Sequence, residues 1–130
     1  MSQFTTKLNV EPIGNNKWIL IEGFEYHVGC YPSDEIITVP KGFITDFASV
    51  PKVFWSIIDP IGKHGKAAVI HDYCYYTAYY SRIRSDQIFL EGMKVLKVEP
   101  WKRQVMFHVV VMFGWWAWLK HRHWENKNKQ

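Results

Sequence analysis

A chain of 130 residues, 48% hydrophobic and 22% charged, suits one globular domain, large enough to bury a core without a covalent staple. Two cysteines, Cys30 and Cys74, do not make a disulfide scaffold, and the first ten residues lack the apolar core of a signal peptide. The net charge of +4 is mild and comes with no RNA-binding aromatic motif or zinc-finger spacing, which argues against a nucleic-acid partner.

The first half reads as strands. Gly14-Asn15-Asn16 is a turn signal before the short apolar run Lys17 to Glu22. Phe24, Tyr26 and Val28 alternate with Glu25 and His27, the pattern of a half-buried strand. Glu35 to Val39 is a β-branched run closed by Pro40, and Lys41-Gly42 turns the chain into Phe43-Ile44-Thr45. A small N-terminal antiparallel sheet is expected.

The second half reads as helices. Ser49 as a cap and Pro51 in the first turn open a short helix through Phe54 to Ile58. The next helix is expected from about Lys66 to Tyr80, with Ala67, Ile70, His71, Cys74 and Ala78 on one face. Ser85 is read as the cap of a third helix whose Ile88, Phe89 and Met93 face inward. Val98-Glu99-Pro100 starts the last and longest helix, which Gly114 interrupts ahead of Trp115-Trp116-Ala117-Trp118. The fold class is therefore α+β, a small sheet followed by three to four helices. Residues 1–124 form one domain, and 125–130 a flexible basic tail.

The 16 residues from Gln104 to Leu119 carry no formal charge. As a helix they span about 24 Å, short of the roughly 30 Å hydrocarbon core of a bilayer. A buried or interface helix is expected, not a transmembrane one.

The chemistry concentrates in Ala68-Val69-Ile70-His71-Asp72-Tyr73-Cys74-Tyr75. His71 falls on the inward face, where a helix needing only a core would place Leu or Met. Asp72 points about 100° away around the helix, so it is no simple partner for His71, but it can hold a cation or a substrate group at the helix edge. Asp86 opens the next helix. If the two helices pack antiparallel, its carboxylate reaches one ring nitrogen of His71 and makes the other a better base. Asp46, set among Phe43, Ile44, Phe47 and Val50, is costly to bury alone; it should cap a helix, meet a cation, or bond Thr45 or Ser49. Cys74 between tyrosines reads as inert. His64, beside Lys63 and Lys66, reads as part of a solvated turn.

Two resemblances arise at these residues. Trp18, Tyr26, the run Val39-Pro40-Lys41-Gly42-Phe43-Ile44-Thr45-Asp46-Phe47-Ala48-Ser49-Val50-Pro51, His71-Asp72, Asp86 with Phe89, Met93, Trp101 and Gly114 together resemble the phage- and prophage-encoded domain-of-unknown-function family 1353. That resemblance implies a small single-domain phage or prophage protein, placed in the virion or the host cytoplasm. It supplies no activity. More locally, His71-Asp72-Tyr73-Cys74-Tyr75 with Asp86 and Phe89 is similar to the paired-helix core of phospholipase A2 enzymes. This second likeness implies His71 as the base that activates water, Asp72 as a calcium ligand, and Tyr75 and Asp86 as braces of His71. In the secreted enzymes the cysteine at the place of Cys74 pairs with one just before the second aspartate; here that place is Ser85. The glycine-rich calcium loop is also missing, and Asp46 is the candidate substitute ligand.

Two functions follow as expectations. One is a metal-assisted hydrolase of an ester or amide. The other is a non-enzymatic phage component that meets other phage proteins, a host protein or a lipid surface through Trp115, Trp116 and Trp118.

Overall fold

The computed structural model describes residues 3–5, 7–15, 17–46 and 64–128, with side chains through residue 120 and at Arg122. The expected helix over 54–58 and its cap at Ser49 lie outside the described residues. The described elements run β1 (Val10–Gly14), β2 (Lys17–Leu20), β3 (Phe24–His27), β4 (Ile36–Val39), β5 (Ile44–Thr45), α1 (Gly65–Thr77), α2 (Arg82–Val95) and α3 (Pro100–Asn128). This is the expected α+β class, a sheet region followed by three described helices.

The strands divide between two small antiparallel sheets, β1-β2-β5 and β3-β4. β1 is a strand that the sequence pattern does not announce. It holds Pro12, its residues from Glu11 on are exposed, and its register with β2 shifts between Pro12 and Gly14. Gly14 and Asn15 both take positive φ, 93° and 54°, the conformation a tight hairpin turn requires. In the other sheet Phe24 pairs with Val39 and Tyr26 with Ile37. All four side chains are buried, so the period-2 pattern delivers one apolar face to the helices. Phe4 packs on that face, its ring 4.5 Å from Tyr26.

The helices pack because α1 carries small residues where α2 crosses. Ala67 and Ala68 are fully buried, and a Cβ on Gly92 would stand 3.1 Å from that of Ala67. Ile70, Ile88, Phe89 and Met93 fill the space between, each worth about 1.5–3 kcal/mol on burial. Glu91 ties α2 back to β3: its carboxylate accepts from the Tyr26 hydroxyl and from the Gly29 N–H at 2.8 Å.

Three helix boundaries differ from the sequence reading. α1 stops at Thr77 because Ala78 turns left-handed (φ 52°) and its N–H bonds the Cys74 carbonyl. The cap of α2 is Ser81, whose Oγ accepts the Arg84 N–H at 3.1 Å. Ser85 lies one turn inside, its hydroxyl donating to the Ser81 carbonyl at 2.9 Å. α3 runs unbroken through Gly114 and on to Asn128, past residue 125, where a flexible tail was expected. Among the described residues no helix is long and apolar enough to cross a membrane.

Candidate functional site

α1 and α2 lie side by side with His71 facing Asp86. The ring Nε2 stands 2.7 Å from Asp86 Oδ1. Tyr75, one turn after His71, donates its hydroxyl to the same Oδ1 at 2.6 Å. Its ring lies 4.2 Å from the imidazole, and Phe89 lies 5.0 Å away. His71, Tyr75 and Asp86 are 2%, 1% and 3% exposed. Where the carboxylate is ionised it only accepts, so in the neutral imidazole Nε2 is the nitrogen that donates and Nδ1 the one left with a lone pair. Nδ1 is buried and meets no hydrogen-bond partner. Burial, reinforced by the hydrogen bond and charge of Asp86, pushes the Tyr75 phenol far above its ordinary pKa, so Tyr75 stays a donor.

α3 locks this trio from behind. Gly114 leaves room for the Tyr75 hydroxyl, which contacts the position a side chain there would fill. Trp118 stacks edge-on against Tyr75 at 5.3 Å. Arg122 donates from Nη2 to the carbonyls of Tyr75 (2.8 Å) and Tyr76 (2.6 Å) while lying over the Trp118 ring. These carbonyls belong to the last turn of α1, where a helix has no partners of its own.

Asp72 faces the other way, toward β5. Its Oδ2 accepts the Thr45 hydroxyl at 2.6 Å and the Asp46 N–H at 2.9 Å. Burial first, then the neighbouring Asp46 carboxyl, raises the Asp72 pKa well above the usual carboxylate range. Burial and the Asp46 carboxyl thus both favour the protonated form of Asp72. So Asp46 and Asp72 meet at one place and His71, Tyr75 and Asp86 at another. Among the described residues no group of three or more His, Cys, Asp or Glu is arranged to hold a metal ion. The helix start that Asp46 was expected to cap lies outside the described residues.

A family model described as "Protein of unknown function (DUF1353)" matches residues 18–110. The chain belongs to the DUF1353 family. The match takes in Thr45, Asp46, His71, Asp72, Tyr75 and Asp86, and ends on α3 before Gly114. An uncharacterized protein of Sinorhizobium fredii, y4jT, is 40% identical over 78 residues, covering 58% of this chain and 23% of that protein. The chain thus spans under a quarter of that relative's length. No solved structure matches.

In this DUF1353 chain the other candidates fall out as follows. Cys74 is buried, which pushes its thiol up to about 12; a hydrogen bond with Ser85 opposes that rise only in part. It is no nucleophile at neutral pH. His64 is buried at the N-cap of α1 and not in a solvated turn. Trp115 and Trp116 are more than half exposed, whereas Trp118 is half-buried against Tyr75. A cavity of about 320 Å³ opens between β4 and the end of α1, lined by Ile37, Tyr73, Cys74 and Tyr80 among others. It touches none of His71, Asp72 or Asp86. Sequence reasoning named Thr45 only as a partner for Asp46, whereas its hydroxyl donates to Asp72, and it missed Arg122. Thr45 had a signal, its place beside Asp46; nothing local to Arg122 points to the end of α1.

Proposed function

We propose that this DUF1353 chain is a small phage- or prophage-borne protein carrying a general-base centre that hydrolyses an ester or amide, with His71 as the base. The observation that carries the reading is Asp86 Oδ1 accepting from both His71 Nε2 and the Tyr75 hydroxyl. That leaves Nδ1 with a lone pair and no protein partner. An oriented imidazole of this kind takes a proton from water as the water oxygen attacks a carbonyl carbon, then returns it to the leaving alkoxide or amine. Asp86 steadies the imidazolium between the two steps. A positioned base of this sort contributes typically about 10²–10⁴-fold to rate.

The likeness to phospholipase A2 supports the same roles, since it implies Tyr75 and Asp86 as braces. The Cys74 thiol also meets Ser85, at the place where the secreted enzymes carry a disulfide. A lipid or cell-envelope ester is the favoured substrate class. On that likeness Asp72, and Asp46 as the substitute ligand, would be the acids to bind a divalent cation, calcium. The described residues bring no third acid, His or Cys to them, so no step is derived through one. The test is hydrolysis of phospholipid vesicles and of activated esters, with calcium and with chelator, by the wild-type chain and by His71→Ala. Equal rates for the two proteins end this reading.

A second reading draws on burial. His71 is 2% exposed, and a sealed polar trio also serves to fix how helices pack. On that reading the protein is a non-catalytic virion, tail or host-binding component, in the virion or the host cytoplasm. His71→Ala then costs stability while the wild-type chain hydrolyses nothing.

A further inference from the structure

The most conspicuous feature of the surface belongs to neither reading of the His71 site. On α3, Trp101, Met112, Trp115, Trp116 and Leu119 are each more than half exposed. At 3.6 residues per turn Trp101 and Leu119 lie about five turns apart on the same line of the helix, with Met112 and Trp115 close to that line between them. That line is about 27 Å long at 1.5 Å per residue, but the exposed Gln104 and His108 lie beside it between Trp101 and Met112, so its continuous apolar part runs from Met112 to Leu119, about 10 Å. From Gln104 to Leu119 the helix contains no charged residue. Exposed apolar faces of this size mark an interaction surface.

The flanking charges say what covers it. Lys102 and Lys120 follow Trp101 and Leu119 in sequence, so they too share one line of the helix, along the edge of the stripe. Each ammonium sits over an indole: Lys102 is 5.6 Å from the Trp101 ring and Lys120 5.8 Å from the Trp116 ring. The nearby acid Glu99 is already bonded to Trp101 Nε1 at 3.0 Å and lies 3.8 Å from Lys102. A second copy of the chain is a poor cover. An antiparallel pairing brings Lys102 against Lys120 of the other copy; a parallel one sets the two lysine rows on opposite edges of the pair, and the dimer measurement below decides for or against it. Indoles and aliphatic side chains bordered by lysines, on a helix that cannot cross a bilayer, instead match an anionic lipid interface.

We propose that the exposed face of α3 docks on an anionic phospholipid bilayer, the helix lying in the plane of the interface. The proposal does not rest on the hydrolase reading, because none of Trp101, Met112, Trp115, Trp116 and Leu119 is among the α3 residues that hold Tyr75, namely Gly114, Trp118 and Arg122.

The test is co-sedimentation of the intact chain with phosphatidylglycerol–phosphatidylcholine vesicles and with pure phosphatidylcholine vesicles. Wild type and His71→Ala should bind the anionic vesicles equally, and pure phosphatidylcholine far less. Lys102→Glu with Lys120→Glu should weaken binding by well over tenfold, since each lysine near an anionic surface is worth about fivefold. Trp115→Ser with Trp116→Ser, at exposed positions that spare the core, should weaken it as well. Failure of the wild-type chain to sediment with anionic vesicles at low salt overturns the proposal, as does equal binding to both lipids. A solution dimer that Trp115→Ser splits and vesicles do not displace also overturns it, in favour of a second copy. Binding by His71→Ala separates this outcome from any loss of hydrolysis.

Discussion

Gly114 on α3 stands against Tyr75 on α1 so closely that a Cβ at 114 would meet the Tyr75 hydroxyl well inside 3.0 Å. A glycine in a helix interior costs about 1 kcal/mol relative to alanine. Here that cost secures the contact through which α3 holds the Tyr75 hydroxyl on Asp86. Gly114→Ala should therefore destabilise the chain by about 1–3 kcal/mol, as overpacking does. Removing the hydroxyl relieves the clash, so Gly114→Ala should cost clearly less in a Tyr75→Phe background. A double-mutant cycle by urea unfolding reads the coupling; additive effects would show that the contact does not matter.

The buried pair of His71 and Asp86 predicts an asymmetry between breaking it and replacing it. Asp86→Ala leaves the Tyr75 hydroxyl and the imidazole without their acceptor, at an expected cost of about 3–5 kcal/mol. The triple change His71→Leu, Tyr75→Phe, Asp86→Leu removes every polar group of the trio and should cost less than Asp86→Ala alone. Thermal and urea unfolding of the two variants decide it. A triple variant less stable than Asp86→Ala would mean that the trio itself holds the helices together.

The Asp46–Asp72 pair predicts a pH dependence of stability. Asp72 has its folded pKa raised by burial and by Asp46, above an unfolded value of about 3.9. Between those two values the folded chain binds more protons than the unfolded one. The stability linked to Asp72 is thus fully present below about pH 3.9 and is lost as pH rises through the folded value. Asp72→Asn keeps an oxygen for the Thr45 hydroxyl and the Asp46 N–H but does not titrate. In chelator, its stability relative to wild type should improve steadily from acid to neutral pH. Parallel pH profiles would contradict a raised Asp72 pKa.

Thiol reactivity separates the two cysteines. Cys30 is exposed and Cys74 is buried, with its thiol pushed up to about 12. A disulfide reagent at neutral pH should titrate one thiol in the native chain and both after denaturation. Rapid labelling of both without denaturant would show that α1 opens beside the site.

Local pattern carried much of this fold. The alternation of Phe24, Tyr26 and Val28 and the run into Val39 became the paired strands β3 and β4. The reach of Asp86 to His71 followed once two helices were placed side by side. What the sequence hid were contacts between distant residues. Gly114 reads locally as a helix breaker, because its reason is a hydroxyl on another helix. Ser85 looks like a cap beside Asp86, yet Ser81 holds the Arg84 N–H and Ser85 turns to Cys74. Trp118 looks like its exposed neighbours, and only the Tyr75 ring and the Arg122 guanidinium show that it faces inward. β1 hides because Pro12 and an exposed face mask its pairing with β2.

The central claim is that Asp86 fixes one tautomer of His71 and leaves Nδ1 as the proton acceptor. Long-range ¹H–¹⁵N spectra of the imidazole ring in the folded chain read this directly. The neutral ring should carry its hydrogen on Nε2, with an unprotonated Nδ1, and Asp86→Ala should abolish that preference. A ring protonated on Nδ1, or one whose tautomer is unchanged in Asp86→Ala, would contradict the account.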